Sequence, residues 1–275
     1  MGVDMELQAL IFDVDGTVAD TEEAHRQAFN EAFRTHRLDW HWNRNLYATL
    51  ARTSGGRERL RQYLDSLDLP AGRRYELAER IADIHRTKID AYNALVACGR
   101  ARLRAGVRRL IEEALQADLK LAVATTGTAE SVGALLAYGL GTDMLGRFEV
   151  VAAGAVVSRP KPAPDIYLFV LKRLRVPAAA CVAFEDSAKG VTAAREAGLF
   201  VVATPTFCTL DQDFTQADLF LPTLGDPDQP LPRAIAQHRT GGVPYVNLAL
   251  LARLHAAARG SNAGHIPAIA GSHAG

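Results

Sequence analysis

Apolar residues are distributed along this chain in two alternating patterns. Four short runs are apolar at nearly every position, Leu7–Phe12, Leu119–Ala124, Ala180–Phe184 and Leu199–Ala203, and each stops abruptly at polar or small residues. Runs of that length and texture predict strands buried on both faces. Between them the apolar positions take helical spacing, at Val107–Leu115, Glu130–Tyr138, Ile166–Leu174 and Ala188–Ala197, the last closed by Gly198 where a left-handed residue ends the helix. Strands alternating with helices predict an α/β fold, a Rossmann-like parallel sheet with right-handed crossovers. Ligands in such sheets sit at the carboxyl ends of the strands, so function is sought in the residues that follow each run.

The alternation breaks once, between the first strand and the second. Residues 21–96 read as helices only: Glu22–Phe33 with Ala24, Ala28, Phe29, Ala32 and Phe33 on one face, then Glu58–Leu67, then Tyr75–Leu95. A helical block inserted there predicts a smaller second domain, so the core is expected from residues 1–20 and 97–223. Residues 224–275 are expected to form an extension, with one amphipathic helix over Val246–Ala258 and then a flexible, small-residue tail.

Composition narrows the class. Hydrophobic residues make up 48% of the 275 positions, and 31 Lys and Arg offset 31 Asp and Glu, so the chain can bury a core and carries no basic excess for nucleic acid or an anionic membrane. Cys98, Cys181 and Cys208 are widely spaced and suggest neither a disulfide framework nor a zinc site. No basic start, apolar leader or membrane-length run is present, which predicts a cytoplasmic protein. The basic run Arg100–Arg104 with Arg108 and Arg109 reads as a solvated connection. His36, His41 and His85 read as surface or packing residues, and Trp40 and Trp42 as packing within the helical block.

The strand ends carry the chemistry. The first run ends in Asp13-Val14-Asp15-Gly16-Thr17, and two carboxylates placed together at a dry strand end need a cation or a shared proton. Oxygen donors without His or Cys favour Mg²⁺. The second run stops at Thr125-Thr126-Gly127, a hydroxyl and exposed amides suited to phosphate oxygens. Lys161 lies among Pro160, Pro162 and Pro164, and the later run ends in Glu185-Asp186-Ser187, a second acidic pair that could alternatively cap the next helix.

In order and spacing, Asp13-Val14-Asp15-Gly16-Thr17, Thr125, Lys161 and Glu185-Asp186 resemble the four motifs of the haloacid dehalogenase-like phosphohydrolases with a helical cap, over about residues 7–222. The resemblance implies phosphoryl transfer through an aspartyl-phosphate. It makes Asp13 the nucleophile and Asp15 the general acid and base. Thr125 and Lys161 would hold phosphoryl oxygens, and Mg²⁺ would be bound by Asp13, the Asp15 carbonyl, Asp186 and Glu185, the last directly or through water.

In the helical block, Glu22 and His25 on the first helix and the loop Ser54-Gly55-Gly56-Arg57-Glu58-Arg59 stand out. Paired glycines flanked by arginines suit a second phosphate or a polyol, although solvated arginines at a helix start would look the same. With Tyr47 and Pro205-Thr206-Phe207, these features are similar to the CbbY branch, which implies a small phosphorylated sugar substrate and hydrolysis of xylulose-1,5-bisphosphate, a Rubisco inhibitor; a monomer is expected. Arg57 stands where that branch suggests lysine. A mutase of the β-phosphoglucomutase kind is the alternative, disfavoured by Thr128-Ala129 where such mutases suggest Lys-Asn. A broad sugar or glycolate phosphatase and an inactive binding module are the remaining readings.

Overall fold

The computed structural model describes residues 6–53, 55–154 and 156–262. Among the described residues eight strands, β1 (Ala9–Phe12), β2 (Ala19–Asp20), β3 (Arg102–Leu103), β4 (Lys120–Ala124), β5 (Val150–Ala152), β6 (Cys181–Glu185), β7 (Phe200–Ala203) and β8 (Leu219–Phe220), form two sheets. The larger is a six-stranded parallel sheet in the order β5-β4-β1-β6-β7-β8. The smaller is an antiparallel pair, β2 with β3.

The all-apolar sequence of β1 follows from its central place, because it pairs with β4 on one side and β6 on the other and has a covered face above and below. Phe12 stacks on Phe184 of β6 at 4.5 Å between ring centroids. The ladder runs one residue past the strand: the Asp13 amide donates to the Phe184 carbonyl at 3.0 Å, which fixes where the first carboxylate leaves the sheet.

The helices covering the sheet are α5 (Val107–Gln116), α6 (Ala129–Leu140), α7 (Thr142–Leu145), α8 (Asp165–Leu174) and α9 (Ala188–Glu196), numbered after the four of the inserted block. Thr128 caps α6 by accepting from the Ser131 amide at 3.2 Å, and Ser187 caps α9 by accepting from the Gly190 amide at 3.3 Å. Gly198 has φ +84°, as its place after α9 requires.

The inserted block comprises α1 (Glu22–Thr35), α2 (Arg44–Ala51), α3 (Gly56–Ser66) and α4 (Ala71–Ala97), and the β2–β3 pair joins its two ends to the sheet. It has its own aromatic core, in which Trp42 sits 4.5 Å from Phe29 and 4.9 Å from Phe33 between centroids. Helix α2 is not among the expected helices, being only eight residues long; Asn43 starts it by accepting from the Leu46 amide at 2.9 Å, and Tyr47 and Leu50 anchor it.

One expectation gains detail and one needs correction. The residues from Leu224 to the end of α11 (Leu248–Asn262), which include the helix expected over Val246–Ala258, pack onto the sheet domain. With α10 (Arg233–Arg239) they place Leu224, Leu231, Ala236, Val246 and Leu251 in the main core. The tail after residue 262 lies outside the described residues. The arginines of the Arg100–Arg109 stretch, by contrast, are not all solvated. Arg104 donates to the carbonyls of Gly16, Thr204, Pro205 and Pro222, and Arg109 to Asp226 and to the carbonyls of Gly225 and Val246.

Candidate active site

Three neighbouring strands end side by side because β4, β1 and β6 are adjacent in the sheet, so Thr125, Asp13 and Glu185-Asp186 converge. Lys161 reaches the same point from the turn before α8. Its Nζ donates to Asp13 Oδ1 at 2.7 Å, to Glu185 Oε1 at 2.5 Å and to the Ala124 carbonyl at 2.8 Å. The Tyr167 hydroxyl also donates to Glu185 Oε1, at 2.5 Å. These side chains are almost fully buried, so each interaction acts in a low dielectric.

Electrostatics follow from this burial. Burial and the neighbouring charges of Glu185 and Asp15 push the Asp13 carboxyl up to about 7, against the opposing pull of Lys161. Burial, with Asp13 and Glu185, raises Asp186 well above the usual carboxylate range. Burial opposes the charge on Lys161, but Asp13 and Glu185 outweigh it and raise its pKa.

The donor oxygens of Asp13, Glu185 and Asp186 lie within 4.8 Å of one another, Lys161 pairs with Asp13 and Glu185, and among the described residues Glu185 Oε2 is buried without a hydrogen-bond partner. A hard divalent cation fits this all-oxygen donor set, because it would satisfy the orphaned oxygen and balance the remaining charge. Two glycines let the acids approach. A Cβ on Gly16 (φ +79°) would collide with Asp186, and one on Gly190 with Glu185.

Asp15 belongs to a different network. Its side chain keeps 30% of its surface open, and Oδ1 lies 3.0 Å from His25 Nε2 on α1. His25 Nδ1 lies 2.8 Å from Lys88 Nζ on α4, and its ring stacks on Tyr92 at 4.0 Å. Burial alone would raise Asp15, but its pairing with His25, with Lys88 behind it, holds its carboxyl below the usual range. Burial and the charge of Lys88 hold His25 itself below its ordinary pKa. A neutral ring reconciles these tendencies: Lys88 donates to Nδ1, Nε2–H donates to Asp15, and the cation's influence reaches the carboxylate through the imidazole.

The two networks open into one cavity of about 1120 Å³ between the strand ends and the helical block. Asp13, Asp15, Thr125, Thr126, Lys161 and Asp186 line it from the sheet side, and Glu22, His25, Gly55, Gly56, Arg57 and Arg59 from the helical side. Glu185 lies behind this surface, fully buried, and Ser54 falls outside the described residues. Thr125 accepts from the Gly127 amide at 3.2 Å. Arg57 is exposed, whereas Arg59 is tied into the block, donating to the Leu50 carbonyl at 3.1 Å and to the Tyr47 hydroxyl at 3.0 Å.

Sequence reasoning missed Lys88, because a lysine inside a long helix looks like part of its solvated face. Its only signal was position, one turn from His85 on α4. The reading of His85 as a surface or packing residue is also too bland. It lines the cavity against Gly56, and burial with Lys88 pushes its pKa down to about 4.

A family model for haloacid dehalogenase-like hydrolases matches residues 7–198. The chain belongs to that family. This hydrolase is 46% identical to the plasmid CbbY protein of Cupriavidus necator over 251 residues, 90% of this chain and 97% of that protein. It is 31% identical to the fructose-1-phosphate phosphatase YqaB of Escherichia coli, over 70% of this chain and 94% of that one. A crystal structure of a mutant CbbY from Rhodobacter sphaeroides in complex with xylulose-(1,5)bisphosphate superimposes with a TM-score of 0.71 at 42% identity, covering 79% of this chain and 94% of that one. The chain is a phosphatase of the CbbY group. Among the described residues no helix is long and apolar enough to cross a membrane.

Proposed function

We propose that this phosphatase hydrolyses a phosphorylated sugar, with xylulose-1,5-bisphosphate as its substrate, Asp13 as nucleophile and Mg²⁺ as cofactor. The observation that carries the reading is the pairing of two carboxyls, two residues apart, with different partners. Asp13 is bound to Lys161 beside the acidic cluster, and Asp15 is bound to His25 on the helical block. The likeness to a CbbY protein bound to a pentulose bisphosphate supports the substrate.

In this mechanism a carboxylate oxygen of Asp13 attacks phosphorus, the ester P–O bond breaks, and its electron pair leaves with the sugar oxygen, which takes a proton from Asp15. Water then attacks the aspartyl-phosphate and gives its proton to Asp15, so phosphate leaves and both carboxyls are restored. Lys161 and Thr125 hold phosphoryl oxygens. Asp13, Asp186, Glu185 and the Asp15 carbonyl would hold Mg²⁺. When bound, the ion supplies positive charge that offsets repulsion between Asp13 and a phosphate dianion.

Both ligands move the carboxyls in the required directions: a nearby cation lowers Asp13, and a phosphate dianion raises Asp15 towards its acid form. Residues 21–96 act as a cap that excludes water from the core of residues 1–20 and 97–223. Glu22, His25, Gly55, Gly56, Arg57 and Arg59 on that cap read the rest of the sugar, with Thr126 on the core. Every named group comes from one chain, so a monomer suffices.

Phosphate release from xylulose-1,5-bisphosphate, ribulose-1,5-bisphosphate, β-glucose 1-phosphate and phosphoglycolate tests the substrate, and Asp13→Asn tests the chemistry. The first compound should have the highest kcat/KM and the variant should be inactive. Another preferred ester overturns the substrate, and retained activity in Asp13→Asn overturns the mechanism.

A further inference from the structure

Tyr47 is fully buried in the helical block, yet it borders the cavity and joins two of its charged residues. Its hydroxyl donates to Glu22 Oε2 at 2.7 Å and accepts from Arg59 Nη1 at 3.0 Å. The direction of this chain is set by its ends. A guanidinium can only donate and a carboxylate can only accept, so the phenol between them donates to Glu22. Burial and the charge of Glu22 raise the phenol well above its ordinary pKa, so it keeps the proton it donates.

Arg59 is itself fixed. It donates to the carbonyls of Leu50 at 3.1 Å and Thr53 at 3.4 Å, and its guanidinium lies 5.2 Å from the Tyr47 ring centroid. Among the described residues, Tyr47 is the one group hydrogen-bonded to the Glu22 side chain. The carboxylate therefore owes its place to a donor with no freedom to move.

Glu22 precedes His25 by three residues on α1, so the two share a face of the helix, and His25 reaches Asp15 at 3.0 Å. Glu22 thus borders the same part of the cavity as the Asp15 carboxyl. A carboxylate repels phosphate and accepts only from donors, so the substrate group it can read in a cavity built for a phosphate ester is a hydroxyl.

Building on the sugar-phosphatase reading above, we infer that Tyr47, held by Arg59, is a positioning residue that fixes Glu22 to accept a hydrogen bond from a hydroxyl on the substrate's carbon chain. The pair makes the enzyme selective for polyhydroxylated phosphate esters over esters that lack hydroxyls. It also disfavours a second phosphate near Glu22, leaving that group to the Gly55-Gly56-Arg57 side of the cavity.

The test is a double-mutant cycle of Tyr47→Phe and Glu22→Ala, read as kcat and KM on xylulose-1,5-bisphosphate and on p-nitrophenyl phosphate with Mg²⁺. Tyr47→Phe should lower kcat/KM for the sugar ester about tenfold, mainly through KM, and lower that for the aryl ester by less than about threefold. In the Glu22→Ala background, Tyr47→Phe should cost less than about twofold more on the sugar ester, because the group it positions is gone. Equal losses on both esters, or fully additive effects of the two substitutions, overturn the inference and leave the phosphatase intact. A wild-type enzyme that cleaves the aryl ester with no preference for the sugar ester overturns it too. A wild-type enzyme that cleaves neither overturns the phosphatase reading and the inference with it.

Discussion

Lys88 Nζ lies 2.8 Å from His25 Nδ1, so a buried cation determines which nitrogen of the imidazole carries its proton. With Nδ1 accepting, Nε2–H points at Asp15 Oδ1, 3.0 Å away. Replacing Lys88 with Met removes the donor and frees the ring to take the other tautomer, which cannot donate to Asp15. The expected result is a fall in kcat of about a hundredfold, on the scale of a disabled general acid, with a smaller change in KM. Steady-state kinetics of Lys88→Met against wild type check it, and an unchanged kcat would remove Lys88 from the proton path.

The same lysine sets opposite pH dependences for stability and activity. Burial lowers it from 10.5 to about 8. Between those values the unfolded chain holds a proton that the folded chain has released, so this group makes stability rise with pH across that window. Below about 8 both states hold the proton, and the cost of the buried charge is present in full, on the order of 3 kcal/mol. Activity that needs the ammonium should instead fall as pH rises through about 8. Urea unfolding and kcat profiles of wild type and Lys88→Met over that range isolate the contribution, since other titrating groups cancel in the difference.

Asp186 carries a second trade-off. With Asp13 and Glu185 it forms a buried acidic cluster in which Lys161 is paired with Asp13 and Glu185, and crowding a third carboxyl there disfavours the folded chain in the absence of a cation. Asp186→Asn should raise metal-free stability by about 1–3 kcal/mol while nearly abolishing activity. In the wild type Mg²⁺ should raise Tm, by the equivalent of about 2.7 kcal/mol at a hundred times its Kd, and EDTA should reverse the effect. The Asn variant should show no such shift in thermal unfolding.

How much of this was legible depended on where each interaction lies relative to the chain. Strands β1, β4, β6 and β7 could be read because burial on both faces writes itself into consecutive apolar residues. Strands β5 and β8 are three and two residues long, too short for any period to register. Asp13, Lys161 and Glu185-Asp186 could be read because each follows a strand or a rigid turn in a sheet whose strand ends form the site. Lys88 and Tyr47 could not be given roles, since each acts on α1 from another helix, and only the packing of α1 against α4 and α2 turns them inward. Arg104 looked like one of several surface arginines because its acceptors are backbone carbonyls, which leave no mark in sequence.

Cys208 should report on the opening of the helical block. It belongs to the loop after β7, yet it is buried in the aromatic core formed by α1 to α4. Nearby, Arg52 pairs with Asp211 and the Arg44 guanidinium sits 5.1 Å from the Phe207 ring centroid. Burial pushes the Cys208 thiol up, so it is unreactive while docked. In a Cys98→Ser background, which removes the exposed thiol, iodoacetamide labelling of Cys208 should be slow and should accelerate in Asp211→Ala. Rapid labelling in the parent protein would show that the loop is not held by these contacts.

Arg104 ties the turn that carries Asp13 and Asp15 to the far loops of the sheet. It follows β3, and its amide donates to the Val18 carbonyl at 3.0 Å. Its guanidinium donates to the Gly16 and Thr204 carbonyls and to those of Pro205 and Pro222 at 3.0 and 2.8 Å. Four acceptors from three separate loops converge on one planar cation, a geometry that lysine cannot reproduce. Arg104→Ala should destabilise the protein by about 3 kcal/mol, since carbonyls that lose a charged donor are left poorly satisfied. Arg104→Lys should recover less than half of that, and kcat should fall in both variants because Gly16 lies between Asp15 and the rest of the turn. Denaturant midpoints with kcat on the same preparations check this, and an Arg104→Ala protein as stable as wild type would show that the turn is held by the sheet alone.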